Sequence, residues 1–180
     1  MCIKMVANGE KCFTFALGSF TKTIKCKMIR FTGDHPAKVD ARGRIFFPSG
    51  LVKDLPNDYP GTFFIKTDVH DKYLNVYTEP EWEIQAEIVE KRMNLNNPRH
   101  RQFLRSYYKG VTKVSLDGNG RILLPKSFLE YAEIEKEVMI LGRSRMIEIW
   151  SKENFEKADL SQEELQDMAL EFLGDDIPYI

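Results

Sequence analysis

The chain has 180 residues, 43% hydrophobic and 29% charged, which gives room for one ordinary domain or two very small ones. That composition excludes a disordered or collagenous chain, and the longest apolar stretch, around residues 13–20, is broken by Thr14, Gly18 and Ser19, far short of the roughly 20 residues a bilayer span needs. The net charge of −1 hides a partition: residues 1–27 carry five Lys against one Glu, residues 159–180 carry seven acids and no base, and the body between them is +2.

All three cysteines, Cys2, Cys12 and Cys26, fall within residues 1–27. An odd number at one end makes no disulfide framework, and the spacings fit no zinc ligand set. Flanking lysines without a small-residue cleavage site argue against a secretory leader, so a reduced, cytoplasmic address is expected.

In chain order, alternating Ala37 and Val39, then Ile45 and Phe47, predict two strands joined by the turn D-A-R-G, with a brief helix after Pro48. Strands are predicted at 63–66 and 74–77, then a helix after Thr78, whose spacing to Glu81 fits a capping box. Asn97 followed by Pro98 opens a helix that ends near Gly110. Its apolar set, Phe103, Leu104, Tyr107 and Tyr108, is expected in the core, and Arg99, His100, Arg101, Arg105 and Lys109 either on a solvated face or against a phosphate backbone. Further strands are expected at 112–116, 121–124, 138–141 and 146–150. Ser161 with Glu164 has capping-box spacing, and Leu165, Met168, Ala169, Phe172 and Leu173 then trace one face of an acidic helix. That face is expected either on its own domain or against another subunit or partner.

The chain repeats itself. DARGRIFFP at 40–48 returns as DGNGRILLP at 117–125, Gly33 matches Gly110 at the same offset, and LNVYTEPEWE parallels IEIWSKENFE. The first copy has four extra residues, placed in the loop 56–61. One copy is too small for a strong core of its own, so the two are expected to share one across a pseudo-two-fold axis, which also suits the local two-fold symmetry of duplex DNA. Trp82 and Trp150, at or near repeated strand-to-helix joints, are expected as core anchors rather than stacking platforms.

Within each turn, Asp40 and Asp117 can accept hydrogen bonds from backbone amides two residues on, and Gly43 and Gly120 can take positive φ. Arg44 and Arg121 follow. Either each Arg pairs with the nearby Asp and pins the turn, or its planar fork projects to the O6 and N7 acceptors of guanine. An enzyme inventory is poor: there is no phosphate loop, Gly118 to Gly120 lacks a third glycine, and His35, His70 and His100 are dispersed. No catalysis, no cofactor and no metal are expected, His70 with Asp68 and Asp71 being too close in one turn to converge on an ion.

Both motifs, the Gly33 lead-in, the YTEPEW and EIWSKENFE joints and the FLRSYYKG segment before the second copy together resemble the MraZ family, bacterial transcriptional regulators of the division and cell wall gene cluster. The likeness spans about residues 28–158. It implies an α+β, mainly β fold of two tandem SpoVT/AbrB-like halves (swapped-hairpin, double-psi-like), residues 28–83 and 110–158, joined by linking helices at 84–109. It further implies a homo-oligomeric ring, nucleoid association, and binding of double-stranded DNA at G-rich direct repeats upstream of its own operon, usually as a repressor. The family's DNA-facing positions fall on Arg42 and Arg44, with Arg121 in the second copy, where Asn119 replaces the basic residue. Residues 1–27 are expected as an extension or the product of an upstream start, and 159–180 as an acidic amphipathic tail. The other reading is an AbrB-like protein-interaction module in which DNA binding is lost or secondary; a steep salt dependence of DNA affinity separates the two.

Overall fold

The computed structural model describes the backbone of residues 2–7, 10–17 and 20–25 and, with side chains, residues 29–174. The cysteine side chains, the expected junction at Met28 and the last six residues of the acidic tail lie outside the described residues. Near the N-terminus, β1 (Cys2–Ala7), β2 (Glu10–Leu17) and β3 (Phe20–Lys25) form an antiparallel sheet in the order β1-β2-β3. The periodicity of the sequence does not single these strands out.

The body is α+β and mainly β. Its first copy contributes β4 (Asp34–Lys38), β5 (Arg44–Phe46), α1 (Ser49–Lys53), β6 (Thr62–Thr67), β7 (Tyr73–Thr78) and α2 (Glu79–Lys91), followed by α3 (Pro98–Lys109). The second contributes β8 (Val111–Ser115), β9 (Arg121–Leu123), α4 (Lys126–Tyr131), β10 (Glu137–Arg143), β11 (Met146–Ser151) and α5 (Lys152–Ala158), and α6 (Gln162–Leu173) closes the described chain. Six strands form one antiparallel sheet in the order β4-β10-β11-β7-β6-β8, and β5 pairs with β9 in a second, two-stranded ribbon. Exchanging corresponding strands of the two copies simply reverses that order. The first strand of each copy therefore lies at an edge, hydrogen-bonded to the third strand of the other copy: β4 on β10, β8 on β6.

Alternation decides which side chains enter the core. Phe63 and Ile65 of β6, Leu74 and Val76 of β7, Val138 and Ile140 of β10, and Ile147 and Ile149 of β11 point to one face of the sheet and are buried. The ribbon adds Ile45 and Ile122, and the helices after Pro48 and Pro125 add Leu51 and Phe128, so a single cluster draws on both copies. Pro36 sits inside β4 because that strand is at an edge, where a missing amide donor breaks no central ladder.

Three local expectations need correction. Thr78 is the N-cap of α2 but makes no side-chain cap hydrogen bond, because it is buried at the end of β7. Trp82 and Trp150 are buried but on the sheet face opposite the core: Trp82 stacks on Phe64 and Tyr107, and Trp150 on Tyr73 with 4.2 Å between ring centroids. The aromatic residues of α3 are not core either. The helix buries no residue, and Phe103 remains 43% exposed, since α3 covers an already paired sheet from outside. The capping box at Ser161 is present, with Ser161 Oγ accepting from the Glu164 amide and the Glu164 carboxylate accepting from Ser161 N–H.

Ile45 and Ile122 are directly opposed in the β5–β9 register and both fully buried. Truncating either to Ala is expected to cost about 2–5 kcal/mol. The double variant should cost less than the sum, as urea denaturation of the four proteins would show. Gly142 is equally constrained, because a Cβ there would lie 2.5 Å from the backbone nitrogen of Thr32; Gly142→Ala should lower the thermal midpoint.

Candidate nucleic-acid interface

Each D-x-x-G-R turn is closed by its own first residue. Asp40 Oδ1 accepts from the amides of Arg42 (2.8 Å) and Arg44 (3.0 Å), while the Asp40 carbonyl accepts from Gly43 N–H (2.9 Å). In the second copy Asp117 Oδ1 accepts from Asn119 and Arg121 amides, both at 2.9 Å, and its carbonyl from Gly120 N–H. Gly43 and Gly120 hold φ of +79° and +71°, a region where a Cβ is strained.

The two turns are also tied to each other. Phe47 N–H donates to the Gly120 carbonyl and Leu124 N–H to the Gly43 carbonyl, each at 2.9 Å. The glycine of one turn is thus held by the strand that leaves the other. This reciprocity sets both turns at opposite ends of one three-residue ribbon.

The ribbon's inner face is Ile45 and Ile122, and by strand alternation its outer face is Arg44, Phe46, Arg121 and Leu123. Phe46 (63%) and Leu123 (56%) are exposed. Sequence parity already points Phe46 away from the core, a signal overshadowed by the apolar pair Ile45 and Phe47 on either side of it. Arg44 faces Leu123 across the ladder and Arg121 faces Phe46, its guanidinium carbon 5.6 Å from the ring centroid.

Of the two roles open to the motif arginines, the structure shows the pinning one occupied. Arg44 donates Nε–H to Asp40 Oδ2 at 2.8 Å and places Nη2 at 2.7 Å; Arg121 does the same to Asp117 Oδ2, both at 2.9 Å. Two of the five guanidinium hydrogens are used in this way, which leaves Nη1 of each arginine with donors to spend elsewhere. Arg42 differs. Its side chain is exposed on the turn and has no ion-pair partner among the described residues. The corresponding Asn119 is exposed but uncharged.

The three histidines stay apart from one another, and His35 keeps a buried Nε2 without a hydrogen-bond partner among the described residues. His100 Nδ1 accepts from the Asn94 amide, and His35 is packed near Gly33 and Gly50. The Asp68 carboxylate accepts from the amides of His70 and Asp71 and from the Asn75 side chain, so it serves its own turn.

The Arg44 side-chain hydrogen bond, then the Arg44 amide, lower the Asp40 pKa from 3.8 to about 2. Asp117 is lowered as well, first by the Arg121 amide and then by its side chain. A depressed carboxylate stabilises the fold above its unfolded pKa, and that contribution is lost as pH falls through the folded value. For Asp40 the window runs from 3.8 down to about 2. The Asp40 carboxyl carbon followed by NMR should therefore titrate near pH 2, and in Arg44→Ala its midpoint should move up toward the ordinary carboxylate range.

The profile of a family described as "MraZ protein, putative antitoxin-like" matches residues 108–171. A transcriptional regulator MraZ from Bacteroides fragilis is 36% identical over 130 residues, covering 72% of this chain and 82% of that protein. Another from Christiangramia forsetii is 37% identical over 153 residues, covering 83% and 96%, and one from Clostridium acetobutylicum is 39% identical over 125 residues, covering 69% and 84%. With such identity across most of both lengths, the chain belongs to the MraZ family of transcriptional regulators, which is not a class of enzymes.

Proposed function

We propose that this chain is a sequence-specific DNA-binding regulator whose reader is the pair of turns at the ends of the β5–β9 ribbon. The observation that carries this reading is the reciprocal tie between Gly43 and Leu124 and between Gly120 and Phe47, which fixes both turns on one rigid body. Arg42 is the primary contact: it is exposed and its charge is not cancelled by a neighbour. Arg44 and Arg121 have a double task. Each orients its turn through Asp40 or Asp117 and offers its remaining N–H groups to a phosphate or a guanine edge. Gly43 and Gly120 permit the turn.

On this reading residues 28–83 and 110–158 are two SpoVT/AbrB-like halves, linked through 84–109, and several chains form a homo-oligomeric ring. The net charge of −1 is small for a DNA binder, and assembly answers it: tethered turns meet successive G-rich repeats at high effective concentration, so weak contacts add. The target is the region upstream of the protein's own division and cell wall operon, the effect repression, and the site of action the cytoplasmic nucleoid. A membrane is not part of this picture, and no helix among the described residues is long and apolar enough to cross one.

The competing reading is a protein-interaction module with secondary DNA binding, favoured by one observation, the exposed Phe46 and Leu123 on the ribbon.

Fluorescence anisotropy of a labelled duplex carrying the upstream G-rich repeats, at two salt concentrations, separates them. Tight, salt-sensitive binding is expected for wild type. Arg42→Ala should weaken it by about tenfold or more per engaged turn and flatten the salt slope by about 1 for each phosphate that the arginine no longer neutralises. Asn119→Lys, which restores a cation to the second turn, should strengthen it. Equal, weak binding by wild type and Arg42→Ala would favour the protein-partner reading.

A further inference from the structure

Helix α6 stands apart from the body. It buries no residue, and the stripe that the sequence marks as apolar is open: Leu165 is 58% exposed, Met168 38%, Phe172 66% and Leu173 60%. Its sequence QEELQDMALEFL holds four acids and no base. At about 100° per residue, Glu164 and Glu171 run along one edge of the stripe. Docking on its own domain, one of the two fates open to this helix, is not what the single chain shows. The capping box at Ser161 nevertheless fixes where the helix begins, so it is a formed element with an unpaired apolar face.

The complementary surface is on the same chain. Helix α3, PRHRQFLRSYYK, is also 12 residues long and holds four Arg and Lys and no acid. Its inner side lies on the aromatic layer: Tyr107 stacks parallel to Trp82, and Tyr108 donates its hydroxyl to Glu90 of α2 at 2.6 Å. Phe103 flanks that layer, its ring centroid 5.8 Å from that of Tyr107, and stays exposed, with Leu95 (64% exposed) just ahead of the helix. Arg99, Arg105 and Lys109 are exposed and have no acid partner among the described residues. The ribbon is a poorer match for an acidic helix, since Asp40 and Asp117 already neutralise Arg44 and Arg121.

We infer that α6 of one chain docks on the α3 face of a second copy, its apolar stripe covering Phe103 and Leu95 while Glu164 and Glu171 meet Arg99 and Lys109. Among the described residues no hydrogen bond, ion pair or ring contact joins the two surfaces, and equal lengths with opposite charge are carried by one sequence, so the fitting occupant is another copy. Such a contact is heterologous: the donor surface of each chain differs from its acceptor surface. Repeated by a rotation that closes on itself, such a contact builds a ring. The inference rests on the oligomer reading above and names the surface that builds it.

Size-exclusion chromatography with light scattering of the full chain across micromolar concentrations tests it. Four proteins are compared with wild type: Met168→Glu/Phe172→Glu, Glu164→Lys/Glu171→Lys, Arg99→Glu/Lys109→Glu, and the last two pairs combined. Wild type should assemble. The apolar pair and each one-sided charge reversal should raise the concentration of half-assembly by about tenfold or more, and the combined reversal should restore it. Circular dichroism should show the body unchanged for the α6 variants. Assembly of the α6 variants at the wild-type concentration, or no rescue by the combined reversal, overturns this inference and leaves the ring to another surface. A monomeric wild type overturns the inference and the ring together. A monomer whose α6 amides are protected from hydrogen exchange shows the helix docked within its own chain, which also overturns it.

Discussion

The rest of the structure hangs on the pairing of β5 with β9. Three residues from each copy form this ribbon, and its central pair, Ile45 and Ile122, is the point at which the two copies enter one core. Remove one copy and the other keeps a strand with unpaired amides and an apolar side chain with no opposing surface. Burying an unpaired backbone group costs more than the net gain of a made hydrogen bond, so neither half is self-sufficient at this point. The edge strands follow the same rule: β4 completes the sheet only on β10, and β8 only on β6.

That mutual dependence also produces the site. A turn such as D-x-x-G-R, isolated on a hairpin, would be a mobile loop tip. Here each turn is clamped three ways: by the aspartate that receives two amides and a guanidinium, by the glycine that accepts positive φ, and by the opposite strand that holds the glycine carbonyl. On the proposed reading, rigid presentation lowers the ordering cost of binding, which a reader with few charges requires. The use of Arg44 and Arg121 inside the turn makes them positioning groups, and the exposed position before the glycine, Arg42 in one copy and Asn119 in the other, becomes the place where the copies differ in charge. The asymmetry lies on an otherwise near-symmetric body.

The outer face of the sheet obeys a different logic. Its central row, Lys66, Asn75 and Glu148, is polar yet buried, and its groups are engaged locally apart from the buried Asn75 Oδ1. Glu148 accepts from the Trp150 indole at 2.9 Å and pairs with Arg143 at 3.1 Å, while Lys66 lies over the Tyr107 ring at 4.3 Å with its pKa lowered by burial. Aromatic rings from both tryptophan joints cover this row, which explains why repeated tryptophans pack here and not in the apolar core. The polar row cannot be read from a strand pattern such as YLNVYT or MIEIWS, because alternation marks Asn75 and Glu148 as outward but says nothing about α2, α3 and the long side chains that close over them.

By itself the sequence determined the repeat, the turn chemistry, the alternation that sorts Ile45, Phe63, Ile65, Leu74, Val76, Ile140, Ile147 and Ile149 into one core, and the helix starts at Asn97 and Ser161, because each of these depends on interactions within a few residues. The tertiary structure decided the rest. It put the pinning role of Arg44 and Arg121 in place, since only the folded turn brings the guanidinium within 3 Å of the aspartate. It paired the first strand of each copy with the other copy, tied Gly43 to Leu124 and Gly120 to Phe47, placed the tryptophans outside the core, and left the apolar face of α6 open. All of these are set by residues far apart in the chain, and local propensity carries no record of them.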